Sequence, residues 1–238
     1  MRKILSARNK RRTYSGGGKG ITILDFDVSL VEQCLIMSFQ EKVSDQARFA
    51  KAIETFDQEN RKDHHTIERA GQQVPKELFH AQKVFGWVTR LNSEASESLL
   101  LAARCQHLCR WEVPRGTYPM SRPGYLKWRA DLKQFHAQKA GEILKGCGYT
   151  DDLIQQVQAL NLKKHLGKDP DMQTLEDALC LEFLENGLDE LVEKTENHKM
   201  IGIIRKTWKK MSHQGHAEAQ KMVFSEGSKI MIERALAL

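Results

Sequence analysis

The sequence contains no long hydrophobic run, and this absence limits the class of protein. Among its 238 residues, the longest uninterrupted apolar stretch runs only from Leu99 to Ala103, whereas a membrane-spanning helix needs about 20 residues. The basic amino terminus is not followed by the apolar stretch of a secretory signal. The sequence therefore predicts a soluble, intracellular protein that does not cross a membrane.

Cysteine is scarce and odd in number. Cys105 and Cys109 are four residues apart, which is the spacing of one helical turn rather than of a zinc knuckle. Disulfide frameworks belong to oxidising compartments. We expect reduced thiols that pack as small core side chains in a cytoplasmic protein; the five are Cys34, Cys105, Cys109, Cys147 and Cys180.

Positive charge is concentrated at the amino terminus. The net charge is +6, yet residues 1–24 alone contain seven basic residues and no acidic one. The rest of the chain is therefore close to neutral, which does not indicate a broad RNA-binding surface. Residues 1–27 are predicted to be a basic segment, either a disordered tail or a signal for import into an organelle.

Helical periodicity dominates after about residue 28, with no internal repeat. The five prolines separate the predicted helices, an agreement that supports the fold class. Thr150 and Thr174 are candidate helix caps. The sequence predicts an all-α, single-domain helical bundle over 28–238, with helices at 28–38, 45–60, 76–91, 96–110, 123–146, 150–164, 173–195, 199–211 and 226–237.

Four ionisable residues lie on apolar helix faces. Burying such groups costs free energy unless they are hydrogen-bonded, paired or bound to a metal. One interpretation is therefore a set of hydrogen-bonded core residues. Because three imidazoles and a carboxylate suit a divalent metal ion, the other is a shared site for Mn, Mg, Fe or Zn; the candidate ligands are His80, His107, His136 and Asp177.

Basic and aromatic residues surround the long connection at 111–122. Arginine matches phosphate oxygens, and aromatic rings can stack on a base or sugar. They are interpreted either as a pocket for an anionic substrate or as a solvated basic face whose aromatics anchor the loop. The candidate substrate-binding residues are Arg110, Trp111, Arg115, Arg129 and Lys164.

The order His80, His107, Asp177 resembles the HD superfamily of metal-dependent phosphohydrolases, whose helical fold presents a His, a His-Asp doublet and a distant Asp. His136 matches an extra ligand in some members. Leu108 stands where the Asp of the doublet belongs. The resemblance implies an HD-like bundle with a single divalent ion and with Glu77 or Glu176 as a substitute ligand or catalytic base.

From about residue 46 onward the chain also resembles domain-of-unknown-function family 4202. The matching stretches include Gln-His-Leu-Cys-Arg-Trp-Glu-Val-Pro-Arg at 106–115 and Gln-Thr-Leu-Glu-Asp at 173–177. Relatives of this kind are sometimes labelled glutamyl-tRNA synthetase, and Lys210-Met211-Ser212 is similar to part of a synthetase signature. That signature needs an α/β nucleotide-binding fold, and the sequence lacks the strand pattern for one.

Three functions follow as alternatives. The first is metal-dependent hydrolysis of a small phosphorylated or nucleotide substrate. The second is a non-enzymatic module that binds RNA or another anionic partner through the basic and aromatic cluster. The third is a di-iron oxidoreductase, suggested by the Glu-x-x-His pair of Glu77 and His80, but such bundles use two pairs and the sequence has one.

Overall fold

The computed structural model describes residues 43–69 and 71–237, and it confirms the all-α bundle. A π-helical turn at Phe183–Gly187 joins the helix Pro170–Glu182 to the helix Leu188–Lys194. The predicted helix at 28–38 and the segment 1–27 lie outside the described residues. The elements are α1 (Gln46–Asn60), β1 (Thr66–Arg69), β2 (Gln72–Pro75), α2 (Lys76–Leu91), α3 (Glu97–Cys105), α4 (Arg122–Gly146), α5 (Asp151–Asn161), α6 (Pro170–Glu182), α7 (Leu188–Lys194), α8 (Asn197–Lys210), α9 (His213–Ala219) and α10 (Glu226–Leu236). Each of these helices is too short or too polar to cross a membrane.

Helix α3 forms the centre of the bundle. Every residue from Ser98 to Cys105 is buried, because this helix contains the longest apolar stretch of the sequence. Helices α2 and α5 pack against it, and α2 packs in turn against α6. Arg104 is also buried, and its Nε and Nη2 each donate to the carboxylate of Asp57 at 2.7 Å. This bidentate pair neutralises the one cation inside α3.

Short polar side chains define where the helices begin. The hydroxyl of Thr150 accepts from the N–H of Leu153 at the start of α5, which confirms the predicted cap. The cap predicted at Thr174 is wrong. Helix α6 begins earlier, at Pro170, and Asp169 caps it by accepting from the N–H of Asp171. Proline suits this first position because it needs no N–H partner there.

The largest differences from the predicted helices have local causes. Helix α5 ends at Asn161 rather than at residue 164 because Lys163 takes a φ of 56°, which a right-handed helix cannot continue through. Helix α3 ends at Cys105, and Cys109 likewise has a positive φ of 54°. The antiparallel hairpin of β1 and β2 and the short helix α9 were not predicted. Both are too short to show a distinct periodicity.

Candidate functional site

A polar cavity of about 370 Å³ lies beside the first turns of α2. Its wall is built by α2, α4, α6 and α8 together with the segments that follow α3 and α5. Five cations, three carboxylates and two imidazoles face it: Lys76, Arg110, Arg129, Lys163, Lys210, Glu77, Glu176, Glu182, His80 and His107. We call this space the polar cavity.

Glu77 is the most unusual carboxylate of the polar cavity. It is buried, and its Oε1 lies 3.7 Å from the Nε of Arg110. Its Oε2 lies 3.9 Å from Nδ1 of His107 and has no hydrogen-bond partner in the described part of the chain. Burial raises the pKa of Glu77, and Arg110 opposes that shift only in part. Glu77 can therefore exchange a proton closer to neutral pH than an ordinary glutamate.

His107 and His136 form a neutral pair of imidazoles behind this carboxylate. Their ring centroids lie 6.1 Å apart. Burial, followed by repulsion from Arg110, lowers the pKa of His107 well below its ordinary range. Burial also lowers the pKa of His136 to about 4, and its Nδ1 donates to the carbonyl of Leu108 at 2.7 Å. Both rings are uncharged at neutral pH, but only His107 lines the cavity.

Glu176 holds two lysines together. Its Oε2 lies 2.5 Å from Nζ of Lys163, and its Oε1 lies 3.1 Å from Nζ of Lys210. Burial works to raise the pKa of Glu176, but Lys163 and then Lys210 outweigh it and lower the pKa. Because both oxygens are engaged and the carboxyl is acidic, the arrangement does not suit the catalytic base predicted for Glu176. It instead keeps two ammonium groups at the cavity wall.

His80 links the polar cavity to a neighbouring space. Its Nδ1 lies 2.5 Å from Oε1 of Glu182, a contact between α2 and α6. A second cavity of about 580 Å³ is lined by the hairpin and by the segment around the start of α7. Lys76, His80 and Gly187 line both spaces. The two spaces are therefore adjacent, and the side chain of His80 lies at the wall of both.

The other predicted metal ligands are not all brought together. Asp177 accepts instead from the N–H and hydroxyl of Ser212 and from Gln173, where it fastens the start of α9. His136 lies behind His107 and bonds to backbone. Within residues 43–69 and 71–237, His80, His107, His136 and Asp177 do not form a group whose donor atoms could share one ion.

Only two of the five predicted substrate-binding residues line the polar cavity. Arg110 and Arg129 line the polar cavity. Arg115 does not, because its guanidinium donates to the carbonyls of Tyr118 and Pro119 and so folds its own loop. Trp111 packs against the core, and Lys164 is exposed outside the cavity. The positions of Trp111 and Arg115 match the interpretation in which these residues anchor the loop better than the interpretation in which they bind a substrate.

The sequence interpretation missed Lys163, Lys210 and Glu182 as members of the site. The backbone is unusual at two places in the cavity wall. Lys163 has a positive φ, and so does Cys109, directly before Arg110. The π-helical turn Phe183–Gly187 forms another part of the wall. Strained backbone and π turns are frequent at functional sites.

The fold and the cavity together define a helical protein with a mixed-charge polar pocket inside a single bundle. The family model described as "Domain of unknown function (DUF4202)" matches residues 50–232. The chain belongs to this family. No curated protein and no solved structure matched it.

Proposed function

We propose that the chain hydrolyses a small phosphorylated molecule in the polar cavity. One observation carries the proposal. Lys163 and Lys210, held by Glu176, share a cavity with Glu77, a buried carboxylate that keeps one oxygen free of hydrogen bonds among the described residues. Cations that bind phosphate and a carboxyl that can accept a proton are the two parts that phosphoester hydrolysis needs.

The balance of charge in the polar cavity favours an anionic ligand. Five basic side chains face three carboxylates there, and Arg129 forms no hydrogen bond or ion pair within the described part of the chain. The pKa of nearby Lys133 is lowered, first by burial and then by Lys163 and Arg129. A phosphate group would relieve this repulsion, and arginine offers it paired N–H donors.

The proposed reaction uses Glu77 and His80 on the two sides of the phosphorus atom. Glu77 takes a proton from a water molecule whose oxygen attacks phosphorus. The bond between phosphorus and the ester oxygen breaks, and that oxygen takes a proton from the imidazolium form of His80, which becomes neutral and which Glu182 orients through the 2.5 Å contact. The products are inorganic phosphate and an alcohol, and the second cavity offers room for the alcohol.

The resemblance to HD phosphohydrolases adds a divalent ion to this proposal. Glu77 and His107 are the residues that would hold one, and Glu77 would then serve as a ligand instead of as the base: the Oε2 of Glu77 is buried without a hydrogen bond among the described residues, and the imidazole 3.9 Å away is neutral. When bound, such an ion activates water and polarises a phosphoryl oxygen.

Phosphate release from purified protein tests this function. The panel should contain nucleoside monophosphates, sugar phosphates, diphosphate and p-nitrophenyl phosphate, each with and without Mn²⁺ or Mg²⁺. We expect release that Glu77→Gln reduces by at least about 100-fold, while Glu193→Gln, an exposed position outside the cavity, leaves it unchanged. If the wild-type chain releases no phosphate but binds an oligoribonucleotide with a steep salt dependence, the RNA-binding alternative replaces the hydrolase.

A further inference from the structure

A second cluster of ligand-type side chains lies between α1 and the hairpin, at Asp63, His64 and His65. One donor atom from each residue lies within 4.8 Å of the donor atoms of the other two. Among residues 43–69 and 71–237, this is the one group of three such residues with that geometry. We propose that Asp63, His64 and His65 bind a divalent transition-metal ion of the Zn²⁺, Co²⁺ or Ni²⁺ type.

The chemistry of the cluster matches such an ion. Imidazole nitrogen suits Zn²⁺ and Ni²⁺, and two histidines with one carboxylate form a three-ligand face that leaves other positions to water. The rings of His64 and His65 are close, with centroids 4.1 Å apart. Both histidines are exposed, so an ion can reach them from solvent without opening the fold.

Asp63 gives the cluster a fixed member. Its side chain is only 1% exposed. The Oδ2 of Asp63 accepts from the N–H of Glu77 at 3.1 Å, and its Oδ1 accepts from the N–H of His65 at 2.9 Å. A carboxylate ligand that is oriented by other hydrogen bonds loses less freedom when it binds an ion. Asp63 is therefore preorganised. The ring of His65 already lies against it, with Nδ1 2.9 Å from Oδ1 of Asp63, and the exposed ring of His64 supplies the adaptable part.

The same residues join the site to helix α2. The carbonyl of His65 accepts from the N–H of Lys76 at 2.8 Å, and Asp63 accepts from Glu77, the next residue. An ion at this cluster would fasten the chain before the hairpin to the first turn of the helix that carries Glu77 and His80. Its expected effect is stabilisation of that junction, because a ligand that binds only the folded state raises the free energy of unfolding.

Cobalt titration of the full chain, freed of any histidine tag, tests the proposal. We expect one equivalent of Co²⁺ to bind at this cluster, to produce visible absorption bands and to raise the midpoint of thermal unfolding. His64→Gln and His65→Gln should each weaken binding by at least about 10-fold, and because both side chains are exposed, these variants should fold normally.

Two control variants separate this site from other histidines. His198→Gln changes another exposed histidine and should leave Co²⁺ affinity unchanged. His107→Gln removes a residue that would hold the ion of the polar cavity, so it should remove only the Co²⁺ binding that His64→Gln and His65→Gln leave intact, and the two sites are measured separately. The proposal is overturned if the wild-type chain binds no Co²⁺ or Zn²⁺, if neither His64→Gln nor His65→Gln weakens binding, or if His107→Gln abolishes it.

Discussion

Lys163 reaches Glu176 from a left-handed backbone conformation, with a φ of 56° and its Nζ 2.5 Å from Oε2 of the carboxylate. Such a conformation costs a non-glycine residue roughly 1–2 kcal/mol. Two residues later, His165 has a similar φ of 62° but is exposed. A comparison of Lys163 with His165 therefore separates the free-energy cost of the left-handed backbone from the contribution of the ion pair to stability.

Glycine substitutions at these two positions should have opposite effects. His165→Gly relieves strain without losing a buried contact, so we expect the free energy of unfolding to rise by about 0.5–1 kcal/mol. Lys163→Gly relieves similar strain but leaves buried Glu176 with one lysine fewer, so we expect a net loss. Urea denaturation of both variants measures the difference. Equal effects would show that the bond between Lys163 and Glu176 contributes nothing to stability.

Glu77 should reduce the stability of the fold at neutral pH. Its pKa is raised in the folded state, mainly by burial. The folded state therefore holds the proton more tightly than the unfolded state, and stability falls as pH rises above the ordinary glutamate value. We expect Glu77→Gln to be more stabilising, relative to wild type, at about pH 7.5 than at about pH 4. A gain that is the same at both pH values would contradict the raised pKa.

His136 should remain neutral far into the acidic range. Its pKa is lowered from 6.5 to about 4, chiefly by burial. The unfolded chain gains a proton first as the pH falls, so stability from this group is present above pH 6.5 and is lost toward pH 4. Nitrogen NMR of the imidazole across this range should show a midpoint near 4. A midpoint for His136 near the ordinary histidine value of 6.5 would contradict the lowered pKa and burial as its cause.

Asp57 is expected to matter more for stability than any exposed acid. Arg104 is only 1% exposed inside α3, and both of its bonds at 2.7 Å go to the carboxylate of Asp57. Asp57→Asn weakens this bidentate ion pair. Breaking a buried ion pair costs roughly 3–5 kcal/mol, and we expect a loss near the lower end because asparagine keeps one acceptor. Glu193→Gln, at an exposed position, should change the free energy of unfolding by less than about 0.5 kcal/mol. Similar values for the two variants would rule out a structural role for the pair.

Most of the helices could be predicted from the sequence because a long amphipathic helix shows a regular spacing of apolar residues. Helix α2 begins and ends where its periodicity predicts, at Lys76 and Leu91. The predicted helix at 173–195 was only partly right, because the π-helical turn Phe183–Gly187 divides it. A π turn adds one residue to a helical turn without changing the apolar pattern enough to be recognised.

The site followed only in part, because a helical pattern shows that a residue faces the core but not which neighbour it meets there. Asp177 does face inward, yet it meets Ser212, which is 35 residues later. Its neighbour Glu176 points to the polar cavity instead, since one step along a helix turns by about 100°. Two of the four predicted ligands, His80 and His107, do line that cavity.

Binding of inorganic phosphate, the product of the proposed reaction, tests the central claim most directly. Isothermal titration should show one site per chain for the wild type. Arg110→Gln and Lys163→Gln should each weaken it by at least about 10-fold, while Lys164→Gln, which changes an exposed lysine outside the cavity, should bind phosphate like the wild type. A wild-type chain that binds no phosphate, or cavity variants that bind as tightly as the Lys164 control, would contradict a phosphate site in the polar cavity.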